Sequence, residues 1–91
     1  MEVPDPWIGY VYFDRDVESK LLEKHCLTPD QVRRAICWGA HDQAVWEDHP
    51  IYGIRLVVTG DSVETGPVIA YLRPLDEPDG TWEGLTAWRL D

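Results

Sequence analysis

Hydrophobic and polar residues alternate most regularly in two runs in the second half of the chain, residues 54–59 and residues 68–73. Both runs are rich in β-branched and aliphatic side chains, and the segment that joins them is bounded by Gly60 and Gly66. Such a pattern predicts an antiparallel β-hairpin with a longer loop. Because successive side chains of a strand point to opposite faces, this hairpin presents two faces of different composition.

One face of the predicted hairpin is aliphatic and the other is mixed. In the simplest register, the aliphatic face carries Ile54, Leu56, Val58, Val68, Ala70 and Leu72. The mixed face carries Arg55, Val57, Thr59, Ile69, Tyr71 and Arg73. Burial of aliphatic surface is favourable, so we expect helices to cover the first face. The mixed face is expected to be open or partly covered, and any function is expected there.

The segments before the hairpin have simpler patterns. Residues 1–6 are rich in proline and are expected to form a loose lead, whereas residues 7–13 combine the aromatic and β-branched side chains typical of a strand. Residues 15–25 predict a short amphipathic helix. Residues 43–46 fit either a short strand or an extended loop.

The clearest local signal is the start of a second helix at Thr28. Thr28 and Gln31 have the spacing of a capping box, in which each side chain bonds the backbone amide of the other residue. Pro29 falls at the first helical position, where its missing N–H costs nothing. Val32 and Ile36 of this helix are expected to face the core.

A last strand is predicted at residues 81–90, and a glycine within it predicts a β-bulge. Successive residues of this strand point to opposite faces, so its register decides which side chains join the mixed face. Leu85 and Ala87 have the character of core residues, so we expect Trp88 on the mixed face and Arg89 on the side of the helices. Two arginines would then share the mixed face, rather than three.

The order of the predicted elements is a strand, two helices, and then three or more strands. This order predicts an α+β fold in which the helices cover one face of an antiparallel sheet. A chain of 91 residues is expected to form a single domain, here residues 1–91.

Composition narrows the classes of function and the expected compartment. The net charge of −9 argues against broad, non-specific binding of nucleic acid, which needs a basic surface. The acidic residues cluster in expected loops, where they form either a solubilising surface or a docking surface for a basic partner. No apolar run approaches the ~20 residues of a membrane span. The N-terminus has no export signal, so we expect a cytoplasmic protein with no membrane association.

Several short motifs point to a known family. They are Phe13-x-x-Asp16, Glu18-x-Lys20-Leu21-x-x-Lys24-His25, Leu27-Thr28-Pro29-Asp30-Gln31-Val32, Gly53-Ile54-Arg55 and Thr86-Ala87. In this order and spacing the motifs resemble those of BrnT-type toxins, which are members of the RelE-like ribonuclease superfamily. The resemblance extends over most of the chain and is strongest in the two helices.

What this resemblance implies is a RelE-like fold and metal-independent cleavage of RNA by a toxin of a type II toxin–antitoxin system, paired with a small antitoxin. In such chemistry the ribose 2′-OH attacks the adjacent phosphate, and the protein supplies a base, an acid and positive charge. The candidate catalytic residues are Arg55, Arg73, His25 and Lys24. The candidates for contacting RNA are Tyr71, Trp88 and Arg89.

Two departures from the family pattern weaken the catalytic hypothesis. Trp88 stands where the family has an arginine, and the family's C-terminal helix has no counterpart in the sequence. We therefore expect weak or absent nuclease activity. The alternative is a non-catalytic protein-interaction module on the same scaffold, with the mixed face kept for binding. A separate interpretation is that the arginines are edge or surface charges and that the aromatic residues belong to the core.

A metal site is not expected. The available ligands are Cys26, Cys37, His41 and His49. Their spacing fits no pattern of paired ligands, and reduced cysteines explain the thiols more simply. Neither the residues nor the resemblance implies a cofactor.

Overall fold

The computed structural model describes residues 7–51, 53–75 and 80–90. The elements in these ranges are, in chain order, β1 (Tyr10–Tyr12), α1 (Arg15–His25), α2 (Pro29–Ile36), β2 (His41–His49), β3 (Gly53–Ser62), β4 (Gly66–Pro74) and β5 (Thr81–Arg89). The predicted α+β class is confirmed. The ambiguous residues 43–46 lie within β2, whereas the predicted loose lead at residues 1–6 lies outside the described residues.

The strands form one sheet in the order β1-β5-β4-β3-β2. Neighbouring strands from β2 to β5 are antiparallel, but β1 is parallel to β5. The prediction of an antiparallel sheet is therefore wrong at this edge, and the sheet is mixed. A hairpin forces its two strands to be antiparallel, but no hairpin joins β1 to β5, so nothing local in the sequence fixes the direction of β1.

The hairpin formed by β3 and β4 has the simple register that the sequence predicts. Leu56 lies opposite Leu72 and Val58 lies opposite Ala70. All four side chains are fully buried. Ile54 is an exception to the predicted aliphatic core, because β3 pairs with β4 only from Leu56 onward and leaves Ile54 61% exposed.

The second helix, α2, covers the aliphatic face of this hairpin. Val32, Ala35 and Ile36 are fully buried against it. The contact is close: a Cβ atom at Gly60 would overlap the backbone carbonyl of Ala35. A glycine near the end of β3 therefore allows the helix backbone to approach the sheet.

An ion pair ties the turn between β3 and β4 to α2. The carboxylate of Glu64 accepts hydrogen bonds from Nε of Arg34 at 2.9 Å and from Nη2 of the same side chain at 3.0 Å. These hydrogen bonds from Arg34 lower the pKa of Glu64. A two-point contact of this kind fixes orientation, so it helps to align α2 with the hairpin.

The predicted capping box is present at the start of α2. The Gln31 amide donates to Oγ1 of Thr28 at 3.2 Å, and the Thr28 amide donates to Oε1 of Gln31 at 2.9 Å. Pro29 occupies the first helical position. Two backbone donors that the helix cannot satisfy internally are thereby paired.

Thr28→Ala is expected to lower the free energy of unfolding by about 1 kcal/mol, because it removes the side-chain acceptor of this cap. Denaturant titration followed by circular dichroism measures the change. Thr28→Ser is the matched control, since it keeps the hydroxyl. Equal destabilisation by both substitutions would show that the cap is not responsible.

The first helix, α1, departs from the prediction that both helices lie on one face. It contributes Leu21 to the core, but it packs against β5. Its Lys20 lines a groove with Arg55 on the mixed face. The three-residue β1 pairs only with the first part of β5, so the remaining length of that strand's outer edge is available to the helix.

The predicted bulge in β5 is present beside Gly84. The pairing with β4 shifts there, so that Leu85 has no partner residue on β4. The sequence predicts Leu85 in the core, but this residue is only half-buried, because a bulged residue leaves the regular alternation. A Cβ atom at Gly84 would overlap the ring of Phe13, which packs against the strand at this point.

The two cysteines have different surroundings, and we expect different reactivity. Burial raises the pKa of Cys37 to about 11, whereas Cys26 is exposed. Because the thiolate is the reactive form, iodoacetamide at pH 8 should modify Cys26 and spare Cys37 in the folded protein. Peptide mass spectrometry measures this, and unfolded protein, in which both should react, is the control. Rapid modification of Cys37 without unfolding would contradict the buried placement.

The same burial makes stability depend on alkaline pH. The folded protein holds the Cys37 proton more tightly than the unfolded chain, whose thiol has the ordinary pKa of 9.0. The contribution of this thiol to the free energy of unfolding is therefore constant below pH 9.0 and is lost as pH rises toward about 11. Cys37→Ala should remove this part of the alkaline destabilisation in denaturant titrations.

Candidate functional site

The mixed face predicted for the hairpin continues across β2 and β5. The residues that pair on this side of β2 to β5 are Gln43, Val45, Glu47, Arg55, Val57, Thr59, Ile69, Tyr71, Arg73, Glu83, Thr86 and Trp88. Each of them is half-buried or exposed. On the opposite face, the central residues of the same strands are buried beneath α2. The mixed face is therefore the accessible side of the sheet.

A row of stacked side chains crosses this face. The guanidinium carbon of Arg55 lies 4.4 Å from the centre of the Tyr71 ring. The Tyr71 and Trp88 rings are stacked, with centres 5.3 Å apart and an angle of 24° between their planes. The ring of His25 follows, 6.3 Å from that of Trp88. The row brings together β3, β4, β5 and the end of α1, and it places Trp88 on the mixed face, as the parity of β5 predicts.

Both arginines of the mixed face are paired with carboxylates on neighbouring strands. Arg55 lies opposite Glu47 of β2, and its Nε donates to Oε1 of Glu47 at 2.6 Å. Arg73 lies opposite Glu83 of β5, and its guanidinium bonds that carboxylate. Opposite charges directly across an antiparallel pair attract. The positive charge that a phosphate would need is thus largely compensated.

Arg89 lies away from this group, as the sequence predicts. It pairs with Val68 on the side of the sheet that α2 covers. Its Nη2 donates to the backbone carbonyl of Cys26 at 3.2 Å, just after the end of α1. Arg89 therefore links β5 to α1 and is not grouped with Arg55 and Arg73.

Of the two remaining catalytic candidates, only His25 reaches the row of stacked rings. His25 is half-buried, and Lys24 beside it is exposed in the last turn of α1. Both positions lie at the C-terminal end of the helix, where positive charge is favourable. Their location has a structural explanation without catalysis.

A groove between α1 and the mixed face was not foreseen as a site. It has a volume of ≈ 460 Å³ and is lined by Lys20, Arg55, Leu85 and Thr86. Lys20 contributes an ammonium group, Arg55 a guanidinium that is paired with Glu47, Thr86 a hydroxyl and Leu85 an apolar surface. The signal that could have revealed it is the glycine of β5, because the bulge beside that glycine turns Leu85 out of the core.

Side chains suited to contacting a ligand lie in both the row and the groove. The row and the groove offer stacking surfaces, paired charges and hydroxyl groups, but His25 is not among the residues that line the groove. Within the described ranges, no cluster of three or more histidine, cysteine or acidic side chains is suited to hold a metal ion. None of the described helices has the length and apolar character needed to cross a membrane.

The chain matches no model of a known protein family, no curated protein and no solved structure.

Proposed function

We propose that the chain is a non-catalytic protein-interaction module and that the mixed face is its binding surface. The observation that carries this proposal is the pairing of both arginines of that face with carboxylates, Arg55 with Glu47 and Arg73 with Glu83. An arginine held in this way is positioned for recognition, but its charge is already compensated. A partner protein can use such a surface more readily than a polyanion can.

The composition of the mixed face also supports a protein partner. Tyrosine, tryptophan and arginine are the residues most enriched at the energetic centres of protein interfaces. Here Tyr71, Trp88 and Arg55 stack on one another and are half-buried before any partner binds. Side chains that are already fixed lose less conformational entropy on association.

The charge of the chain indicates what kind of partner is favoured. With a net charge of −9, the chain repels acidic partners and attracts basic ones over distances of about 10 Å at 0.1 M salt. A basic protein, such as an antitoxin of the kind that the BrnT resemblance implies, fits this requirement.

The test begins with a protein that copurifies with the tagged chain, which is then identified, produced separately and titrated by calorimetry. Trp88→Ala is expected to weaken binding by about 2 kcal/mol, or roughly thirtyfold in Kd. Trp38→Ala is the matched control, because Trp38 is a 61% exposed tryptophan in the turn after α2. Equal losses in the two variants, or none in either, would contradict the mixed face as the binding surface.

The second candidate function is a RelE-like endoribonuclease, and the groove favours it. Lys20 and Arg55 bring two cationic side chains to one groove, with the stacked rings of Tyr71 and Trp88 beside Arg55. Unpaired bases stack on aromatic side chains, and phosphates bind arginine and lysine. These features would support binding of a single RNA strand despite the acidic character of the whole chain.

Incubation of purified protein with synthetic single-stranded RNA in the presence of EDTA separates the two candidates. The interaction module predicts no cleavage above that seen with denatured protein. The ribonuclease predicts cleavage that Arg55→Ala abolishes and Arg34→Ala preserves, since Arg34 lies on α2 beside Glu64. Growth arrest on expression, relieved by Arg55→Ala, would support the ribonuclease in cells.

A further inference from the structure

The two edges of the sheet are protected to different degrees. At one edge, β1 has only three residues, and the carbonyl of its Val11 accepts a hydrogen bond from Nε of Arg33 at 2.8 Å. At the other edge, β2 has nine residues and, within the described part of the chain, pairs only with β3. Every second residue of such an edge directs its backbone N–H and C=O outward, where another strand can bind them.

The side chains of β2 suit a strand-shaped partner. Val45 on the mixed face is 53% exposed, and Trp46 on the opposite face is 41% exposed. A strand added beside β2 would cover part of both. Trp46 is also held in place, since its ring centre lies 5.8 Å from that of Trp82. The edge thus offers apolar contact on both faces in addition to its backbone groups.

Acidic side chains predominate in β2. The strand reads HDQAVWEDH, with three acidic residues and no lysine or arginine. Asp42 and Asp48 are exposed near its two ends. A partner strand with basic residues near its own ends would place opposite charges side by side, which is favourable across neighbouring strands.

The same charges disfavour a second copy of this chain as the partner. Two copies of β2 would pair around a two-fold axis normal to the sheet, and the register with greatest overlap is centred on Val45. In that register Gln43 of each copy lies opposite Glu47 of the other. Asp42 of each copy then lies at the level of Asp48 of the other. Like charges at such positions are destabilising.

We propose that the outer edge of β2 binds an extended segment of a partner protein that carries lysine or arginine near both ends, and that this segment adds to the sheet as a further strand. The proposal rests on the proposed function as an interaction module, and it specifies the binding mode and the chemistry of the partner. Backbone hydrogen bonds would supply affinity, and the acidic side chains would supply selectivity.

The probe is a fluorescently labelled nonapeptide. It has two lysines at each end, with alternating valine and threonine between them. We expect it to bind the whole chain, and an analogue with glutamate in place of lysine to bind about tenfold or more weakly. The double variant Asp42→Asn/Asp48→Asn should reduce this difference several-fold, because it removes two exposed charges. Fluorescence anisotropy measures the affinities.

A second probe tests the backbone contact directly. The same lysine peptide, N-methylated at alternate residues along one edge, keeps its charge but cannot donate hydrogen bonds there. Two such peptides, one for each edge, should include one that fails to bind. If both bind as well as the parent peptide, or if lysine and glutamate peptides bind equally, edge addition of a basic segment is wrong. A dimer detected by sedimentation, together with protection of the β2 amides from hydrogen exchange in that dimer, would instead identify a second copy as the occupant.

Trp88→Ala separates this inference from the proposed function, because Trp88 lies on β5 and not on the edge strand. Retained peptide binding in this variant, with loss of the copurified partner, is the result expected when both proposals hold. Peptide binding without any effect of Trp88→Ala on the partner would overturn only the use of the mixed face. If Trp88→Ala loses the partner but the wild-type chain does not bind the peptide, only the edge site is overturned.

Discussion

Replacing Leu56 with alanine is expected to lower the free energy of unfolding by about 2–5 kcal/mol. Leu56 is fully buried in the middle of the sheet, opposite Leu72 on one side and Trp46 on the other. Loss of its side chain removes apolar contacts and leaves a cavity that a close-packed core fills poorly. For a domain whose whole stability is on the order of 5–10 kcal/mol, this change threatens the fold itself.

The matched control is Ile54→Ala on the same strand. Ile54 has the same parity as Leu56 but is 61% exposed, so its truncation should change stability by no more than about 0.5 kcal/mol. Denaturant titration of the two variants and the wild type measures the difference. Similar losses at the two positions would mean that α2 does not cover this face as described.

Gly60→Ala is expected to be nearly as damaging, at about 3 kcal/mol, although it adds only one carbon. The new Cβ atom would overlap the backbone carbonyl of Ala35, and it would also lie 2.9 Å from Cγ2 of Ile36. A backbone carbonyl in a helix cannot rotate away as a flexible side chain can. The whole of α2 would have to move outward from the sheet.

Gly66→Ala distinguishes this steric effect from the conformational freedom of glycine. Gly66 has a positive φ of 72°, and a Cβ atom there would meet nothing within 4 Å. Its substitution should cost only about 1–2 kcal/mol of backbone strain. Thermal unfolding followed by circular dichroism compares the variants. A Gly60→Ala variant no less stable than Gly66→Ala would show that α2 and β3 are not in such close contact.

Features governed by neighbouring residues could be predicted from the sequence. The capping box at Thr28 depends on four consecutive residues, and the register of Leu56 with Leu72 follows from the alternation of two neighbouring runs. The predicted longer loop between these runs is wrong, because the strands continue to Ser62 and from Gly66 and leave only residues 63–65 as a turn. The opposite placement of Trp88 and Arg89 follows from the two-residue period of a strand. Each of these rests on geometry that the local chain imposes.

Features that depend on distant residues could not be predicted in this way. The parallel direction of β1 and the position of α1 against β5 arise from packing between separate parts of the chain. The pairing of β2 with β3 is local, because only residues 50–52 separate the two strands, but the pattern of residues 43–46 fits an extended loop as well as a strand. The ion pair of Arg55 with Glu47 is one consequence, because it requires β2 to be a strand in a defined register. The sequence therefore identifies the candidate arginines, but it does not reveal that carboxylates compensate their charge.

The parallel pairing of β1 with β5 also bears on how the chain folds during its synthesis. Tyr10 lies beside Thr81, so this contact closes a loop that contains most of the described chain. Contacts between distant residues form slowly, because a long loop must be closed first. On the ribosome, Val11 emerges before Trp82, its neighbour on β5, so its place in the core is incomplete until β5 has been made. Until then the nascent chain must keep this apolar surface from aggregating.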